Sequence, residues 1–176
     1  MREHLMQLDI FDVLGVISYE AEHGLNQHGK AVVRAMIEES REDEYVEAAR
    51  NTRWVNVWAL DEAGKDTVLF CGVLERVCFF KDRGSFLVEL VLSTGSSLME
   101  KDVHTRGFSE QSRDYTDILD ACKKGYDEAY YIIGEEGKGS LPDFLIQYRE
   151  NDWNFVKRIA ALKETVIIPD YQTRGV

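Results

Sequence analysis

Apolar residues alternate with polar ones in two runs near the start of the chain, Val13/Ile17/Tyr19 and Ala31/Val33/Ala35/Ile37. That period of two predicts strands with one buried face. Asn26-Gln27-His28-Gly29 lies between them and holds residues that tolerate positive φ, so it predicts a hairpin loop. The acidic run Glu38 to Glu44 leads into Tyr45-Val46-Glu47-Ala48-Ala49-Arg50, a short helix with Ser40 as its expected cap. Three β-rich runs follow, Trp54 to Leu60, Thr67 to Phe80 and Phe86 to Leu92, separated by turn-like Asp61 to Lys65 and Lys81 to Gly84. Apolar residues fall on both parities there, as in Leu69/Cys71/Val73 against Phe70/Leu74/Cys78, so both faces of these strands are expected to be covered.

Beyond Gly95-Ser96-Ser97 and a polar stretch to Arg113 the period lengthens to that of a helix. Tyr115, Ile118, Leu119 and Cys122 stand at i, i+3, i+4 and i+7 behind an Asp114 cap. Ala129 to Ile133 reads as a strand, Gly134 to Ser140 as a loop, and Phe144 to Tyr148 as a further strand. A second helix carries Trp153, Phe155, Val156, Ile159, Ala160 and Leu162 on one side, with Asn151 as N-cap and Asp152 favourable to its dipole. Val166 to Ile168 reads as a closing strand. The order predicts a β plus α/β fold: an antiparallel β-barrel with a crossover helix over 1–106, and a small helix-strand-strand-helix-strand domain over 107–176.

Composition narrows the function classes. With 176 residues, 44% of them hydrophobic, the chain is long enough to bury a core. Its 21 Lys and Arg against 32 Asp and Glu give a net charge of −11, which repels nucleic-acid phosphates and anionic lipid headgroups, so neither nucleic acid nor a membrane is an expected partner. The three cysteines, Cys71, Cys78 and Cys122, lack C-x-x-C spacing and are expected to be buried small hydrophobes in a reducing compartment. Residues 1 to 10 carry no signal-peptide pattern, which predicts a soluble protein outside the general secretory route. The final residues, Pro169 to Val176, offer no finishing element, as expected of a piece of something longer.

A search for chemistry yields little. The four histidines, His4, His23, His28 and His104, are scattered without i, i+4 spacing, and Cys71 and Cys78 differ by an odd number, which places them on opposite faces of an unbulged strand. No metal site and no cofactor are therefore expected. Gly134-Glu135-Glu136-Gly137-Lys138-Gly139-Ser140 has Lys-Gly-Ser in the wrong order for a phosphate loop, and its two glutamates would repel an anion. Glu75 and Glu89 each interrupt an apolar strand. They are expected to form salt bridges, with Arg76 or Lys81 as candidates, and the alternative is a small-molecule-binding barrel or hydrolase that uses either carboxylate in its lumen.

One segment carries a resemblance. Residues Gln147 to Ala160 (QYRENDWNFVKRIA) closely resemble the signature Q-Y-x-E-[ST]-D-W-x-F-[LIV]-x-R-[LI]-A of the phage late-control D and Vgr-type spike family of tail hub proteins. Gln147, Tyr148, Glu150, Asp152, Trp153, Phe155 and Arg158 are the matching positions that form this structural motif. Phe108 to Ser112 followed by Tyr115 to Leu119 looks like the family's second motif, and Phe70 to Val77 is similar to its barrel-strand pattern F-x-G-x-[IVL]-x-x-[IV]. Asn151 replaces the usual Ser or Thr cap and Asn154 the acidic residue of a capping box. Family hubs also continue into a second barrel. The resemblance implies a non-enzymatic component of a phage tail, prophage or contractile injection baseplate: a trimeric hub linking tail tube to spike, assembled in the cytoplasm, with no catalytic residue in this portion.

Overall fold

The computed structural model describes residues 6–60, 66–109, 114–126, 128–135, 138–139 and 144–175. The expected turn at 61–65 and parts of the loop at 134–140 lie outside them. Two compact units result, one of residues 1–23, 29–94 and 170–174, the other of residues 24–28, 95–169 and 175–176.

The first unit is a six-stranded antiparallel sheet curled into a half-barrel. Its strands are β1 (Met6–Leu8), β2 (Gly15–Glu22), β3 (Lys30–Met36), β4 (Trp54–Leu60), β5 (Asp66–Asp82) and β6 (Ser85–Ser93), in the spatial order β1-β4-β5-β6-β3-β2. Helix α1 (Glu42–Asn51) joins β3 to β4. Inward side chains Val33, Ala35, Val55, Val57, Phe70, Val88, Leu90 and Leu92 are fully excluded from water and form the core. Alternation on β3, β4 and β6 builds this core, since every second residue faces it.

The length of β5 decides the curl. Its first half pairs with β4, its second half with β6, and Val73 meets both partners, Trp54 and Ser93. A register shift between Leu74 and Arg76 leaves Glu75 as a bulged residue at the bend. Gly72 sits just before it. A Cβ there would lie 2.5 Å from the Phe70 ring and 2.7 Å from the Ser93 carbonyl oxygen, so the close approach of β6 demands glycine. Where β6 has departed, residues 170–174 lie along β5: the Cys71 amide donates to the Tyr171 carbonyl at 2.7 Å and Gln172 Nε2 to the Val68 carbonyl at 3.3 Å. The β5–β6 turn is a two-residue hairpin with positive φ at Arg83 (48°) and Gly84 (86°).

Two expectations change here. The bulge at Glu75 resets the strand's parity, so Cys71, opposite outward Asn56, and Cys78, opposite outward Glu89, share the outer face. Ser40 does not cap α1: it lies in a 3-10 turn over Glu39–Arg41 and its hydroxyl donates to Glu38 Oε1, while the helix starts at Glu42 with no side-chain cap bond.

The second unit contains a two-stranded antiparallel ribbon of β7 (Val103–Phe108) and β8 (Leu145–Asn151), packed by α2 (Tyr115–Lys123) and α3 (Asp152–Leu162). Phe108, Tyr115, Ile118, Cys122, Leu145, Phe155 and Ile159 form its core, with Phe108 stacked on Phe155 at 5.7 Å. Asp114 caps α2 through the Thr116 and Asp117 amides while Asp117 accepts from the Asp114 amide, a complete capping box. Asn151 caps α3 by accepting from the Asn154 amide at 2.8 Å.

Neither Ala129–Ile133 nor Val166–Ile168 is a strand. Among the described residues neither pairs with a strand: Tyr131 is tied to α2 by a hydroxyl bond to Asp120 (2.8 Å), and Ile167 exchanges bonds with the Asn26 amide (2.8 Å) and side chain (2.9 Å). Conversely, β7 forms within the polar stretch before Arg113, to which the sequence pattern assigns no element. Its inward positions include His104 and Arg106, so the alternation that marks a half-buried strand is missing from the sequence.

Candidate functional site

Two signature residues, Gln147 and Asp152, meet in one buried network. Asp152 opens α3 directly after β8, which drives its side chain into the space between ribbon and helices, where it is 1% exposed. Arg106 Nη1 donates to Oδ1 at 2.6 Å, Gln147 Nε2 to Oδ1 at 2.8 Å, and the Tyr126 hydroxyl to Oδ2 at 3.0 Å. His104 Nε2 stands 3.3 Å from Oδ2. Gln147, itself fully buried, also accepts from Arg106 Nη1 at 3.1 Å and donates to the Glu150 carbonyl at 3.0 Å. A buried charge costs little only when paired and fully hydrogen-bonded, and here both oxygens are filled.

The field of that carboxylate reaches its neighbours. Burial first, and Asp152 second, push the Cys122 thiol up to about 12, although Arg106 opposes the shift. Burial and the bond to Asp152 also raise the Tyr126 phenol above its ordinary value. Such groups stay protonated at neutral pH. Among the described residues no three His, Cys, Asp or Glu are placed to hold a metal.

The remaining motif residues are arranged around this network. Trp153 is 3% exposed, with the His28 ring at 4.3 Å and Lys157 Nζ at 5.5 Å from its ring. His28 in turn places Nδ1 2.8 Å from Ser96 Oγ and Nε2 3.2 Å from Glu100 Oε1. Arg158 reaches back to β8, donating to Glu150 Oε2 and to the Ile146 carbonyl at 2.8 and 2.7 Å, and lies over the buried Phe155 ring. Tyr148 is the exception: it points to the open face of the ribbon and is 66% exposed, beside exposed Ile146 and Phe144. The turn into α3 carries a bulge at Arg149, whose φ is 47° and whose amide donates to Thr105 Oγ1 at 3.3 Å.

His104, Arg106 and Tyr126 complete the Asp152 cluster, and His28 packs on Trp153, without any of them belonging to the signature. The only trace of them in the sequence is His104-x-Arg106-x-Phe108, a polar pair in strand register ahead of a core aromatic.

The two barrel carboxylates stand elsewhere. Glu75 is exposed at its bulge, and Glu89 lies on the face away from the Val88 and Leu90 core, held by Arg34 (2.8 Å) and Arg76 (3.2 Å). Arg76 is thus a partner of Glu89, whereas Lys81 pairs with Glu39. Neither carboxylate projects into the core, where the alternative reading needs it.

No protein-family model and no curated protein matches the chain. A solved structure does: the E. coli c3393 protein, described as a component of the type VI secretion system with structural similarity to the T4 bacteriophage tail proteins gp27 and gp5. The match has a TM-score of 0.59 at 14% identity and covers 97% of this chain and 50% of that one. This chain therefore shares its fold with a tail-related protein and spans half of that protein's length.

Proposed function

We propose that the protein is a structural component of a phage tail or a phage-like contractile injection baseplate, and specifically a late-control D or Vgr-type hub that links tail tube to spike. The observation that carries this is the coincidence of two independent features. The fold is that of a type VI secretion component over 97% of the chain, and the hub-like signature at 147–160 contributes Gln147 and Asp152 to one buried network. A likeness of fold alone would not fix a function.

In this reading residues 1–106 act as the barrel domain of the hub and residues 107–176 as its small α/β domain. The signature residues act as structural anchors without a catalytic role. The partners are two further copies of the chain, the tail-tube protein and the spike. Assembly occurs in the cytoplasm, and the product resides in the tail or baseplate without direct contact to nucleic acid or membrane.

Quantitative mass spectrometry of purified tail or injection particles tests the proposal. It expects three copies of the chain per particle, and deletion of its gene is expected to leave tubes without spikes. Particles that assemble with spikes in the absence of the chain would overturn it.

A further inference from the structure

In the spatial order β1-β4-β5-β6-β3-β2, the two terminal strands of the half-barrel are β1 and β2. Among the described residues, β1 pairs only with β4 and β2 only with β3. A cleft of about 760 Å³ opens between these two edges, lined by Met6–Leu8 of β1 and residues 11–19 through the first half of β2. It is the seam at which the sheet fails to close. A strand edge carries a row of backbone donors and acceptors that proteins normally cover, and neither Pro nor Lys stands between Met6 and Glu22 to block a further strand.

The seam has anchor points and a charge. Leu14 and Ile17 are 67% and 55% exposed, and Ile17 is the extra residue of a register shift between Val16 and Ser18. Residues 6 to 22 carry four carboxylates, Asp9, Asp12, Glu20 and Glu22, and no Lys, Arg or His. Arg41 reaches from the turn before α1 to Asp12 at 3.0 Å, and Asp9 is bonded to Asn56. Glu20 and Glu22 remain exposed on β2. A second copy of a chain with net charge −11 would bring like charge to this rim.

We propose that the seam is a docking site for an extended, basic segment of a partner protein, which adds as a strand along Leu14–Tyr19 and closes the half-barrel. Main-chain bonds to β2 supply affinity, alternate apolar side chains settle on Leu14 and Ile17, and Lys or Arg side chains face the acidic rim. The inference stands on the sheet edges and does not depend on the tail reading.

The test uses the full chain, labelled with nitrogen-15, and three heptapeptides: alternating lysine and valine, the same with a central proline, and alternating glutamate and valine. The lysine-valine peptide is expected to shift the amide signals of residues 6–8 and 14–19 and to slow their hydrogen exchange. The proline peptide should bind about tenfold or more weakly, because it cannot complete the ladder. Ile17→Lys, at an exposed position, should weaken the lysine-valine peptide while leaving the fold's spectrum intact. Signal changes spread over the acidic surface, equal binding of the glutamate-valine peptide, or binding without added exchange protection at residues 14–19 would each overturn the proposal.

Discussion

Arg106 on β7 places Nη1 2.6 Å from Oδ1 of Asp152, the first residue of α3, and thereby ties a strand to a helix start 46 residues away. Removing the carboxylate by Asp152→Ala strands the guanidinium, Gln147 Nε2 and the Tyr126 hydroxyl. Breaking a buried pair from one side costs about 3–5 kcal/mol. Urea unfolding is expected to show a loss of that size, with Arg106→Met/Asp152→Leu recovering part of it, because the double change leaves no buried charge. Full stability in Asp152→Ala would mean that the network is not closed in solution.

Trp153 fills the space beneath the His28 ring, and its replacement by Ala is expected to cost about 3–5 kcal/mol. His28→Ala removes the smaller partner and should cost less. If thermal unfolding ranks the two the other way, the imidazole is the anchor and the indole the cover.

Gly72 faces both the Phe70 ring and the Ser93 carbonyl at less than 3 Å from any added Cβ. Gly72→Ala is therefore expected to destabilise the first unit by about 1–3 kcal/mol through overpacking. Arg149 is the opposite case, because its φ of 47° is one that glycine adopts freely. Relief of a left-handed residue outweighs the entropy glycine loses on folding, so Arg149→Gly should gain about 0.5–1 kcal/mol. Chemical denaturation of both variants checks the pair of signs.

The thiols differ in environment. Cys71 and Cys122 are buried, whereas Cys78 is partly exposed. Ellman's reagent is expected to titrate one thiol quickly in the native protein and the other two only after unfolding. Cys122 has a folded-state pKa raised from 9.0 to about 12. The unfolded chain therefore releases this proton first as pH rises, and the stability tied to the neutral thiol is complete below pH 9 and lost on the way to about 12. Tyr131, raised from 10.0 to about 12 by burial and its bond to Asp120, adds a loss of the same sign beginning one unit higher. Cys122→Ala should flatten the fall in midpoint that begins near pH 9, and an unchanged alkaline slope would show that the thiol is not buried as described.

Asp114 tests the acid side. Bonds from the Thr116 hydroxyl and the Asp117 amide hold its carboxyl below the usual range, so its contribution is present above that range and disappears as pH falls through the depressed value. Asp114→Ala is expected to lower the midpoint at neutral pH and to lose its effect in acid. An equal deficit at both ends would assign the cost to something other than the cap.

Local pattern was enough to set β3, β4, β6 and both capped helices of the second unit, because apart from Ser93 and Asp152 their buried positions are apolar and each cap is local. The same holds for Trp153 and Phe155, whose spacing on α3 already points them to one core. Tertiary structure decided the rest wherever burial was polar or pairing was distant. β7 is a strand because Arg106 and His104 face a carboxylate that arrives from α3, and no local pattern encodes that partner. Ala129–Ile133 and Val166–Ile168 have strand-forming residues but pair with no strand among the described residues, and Cys71 and Cys78 share a face because one bulged residue, Glu75, shifts the parity between them. Local sequence sets which face of an element is apolar. Which groups meet across that face depends on chain segments brought together only by the fold.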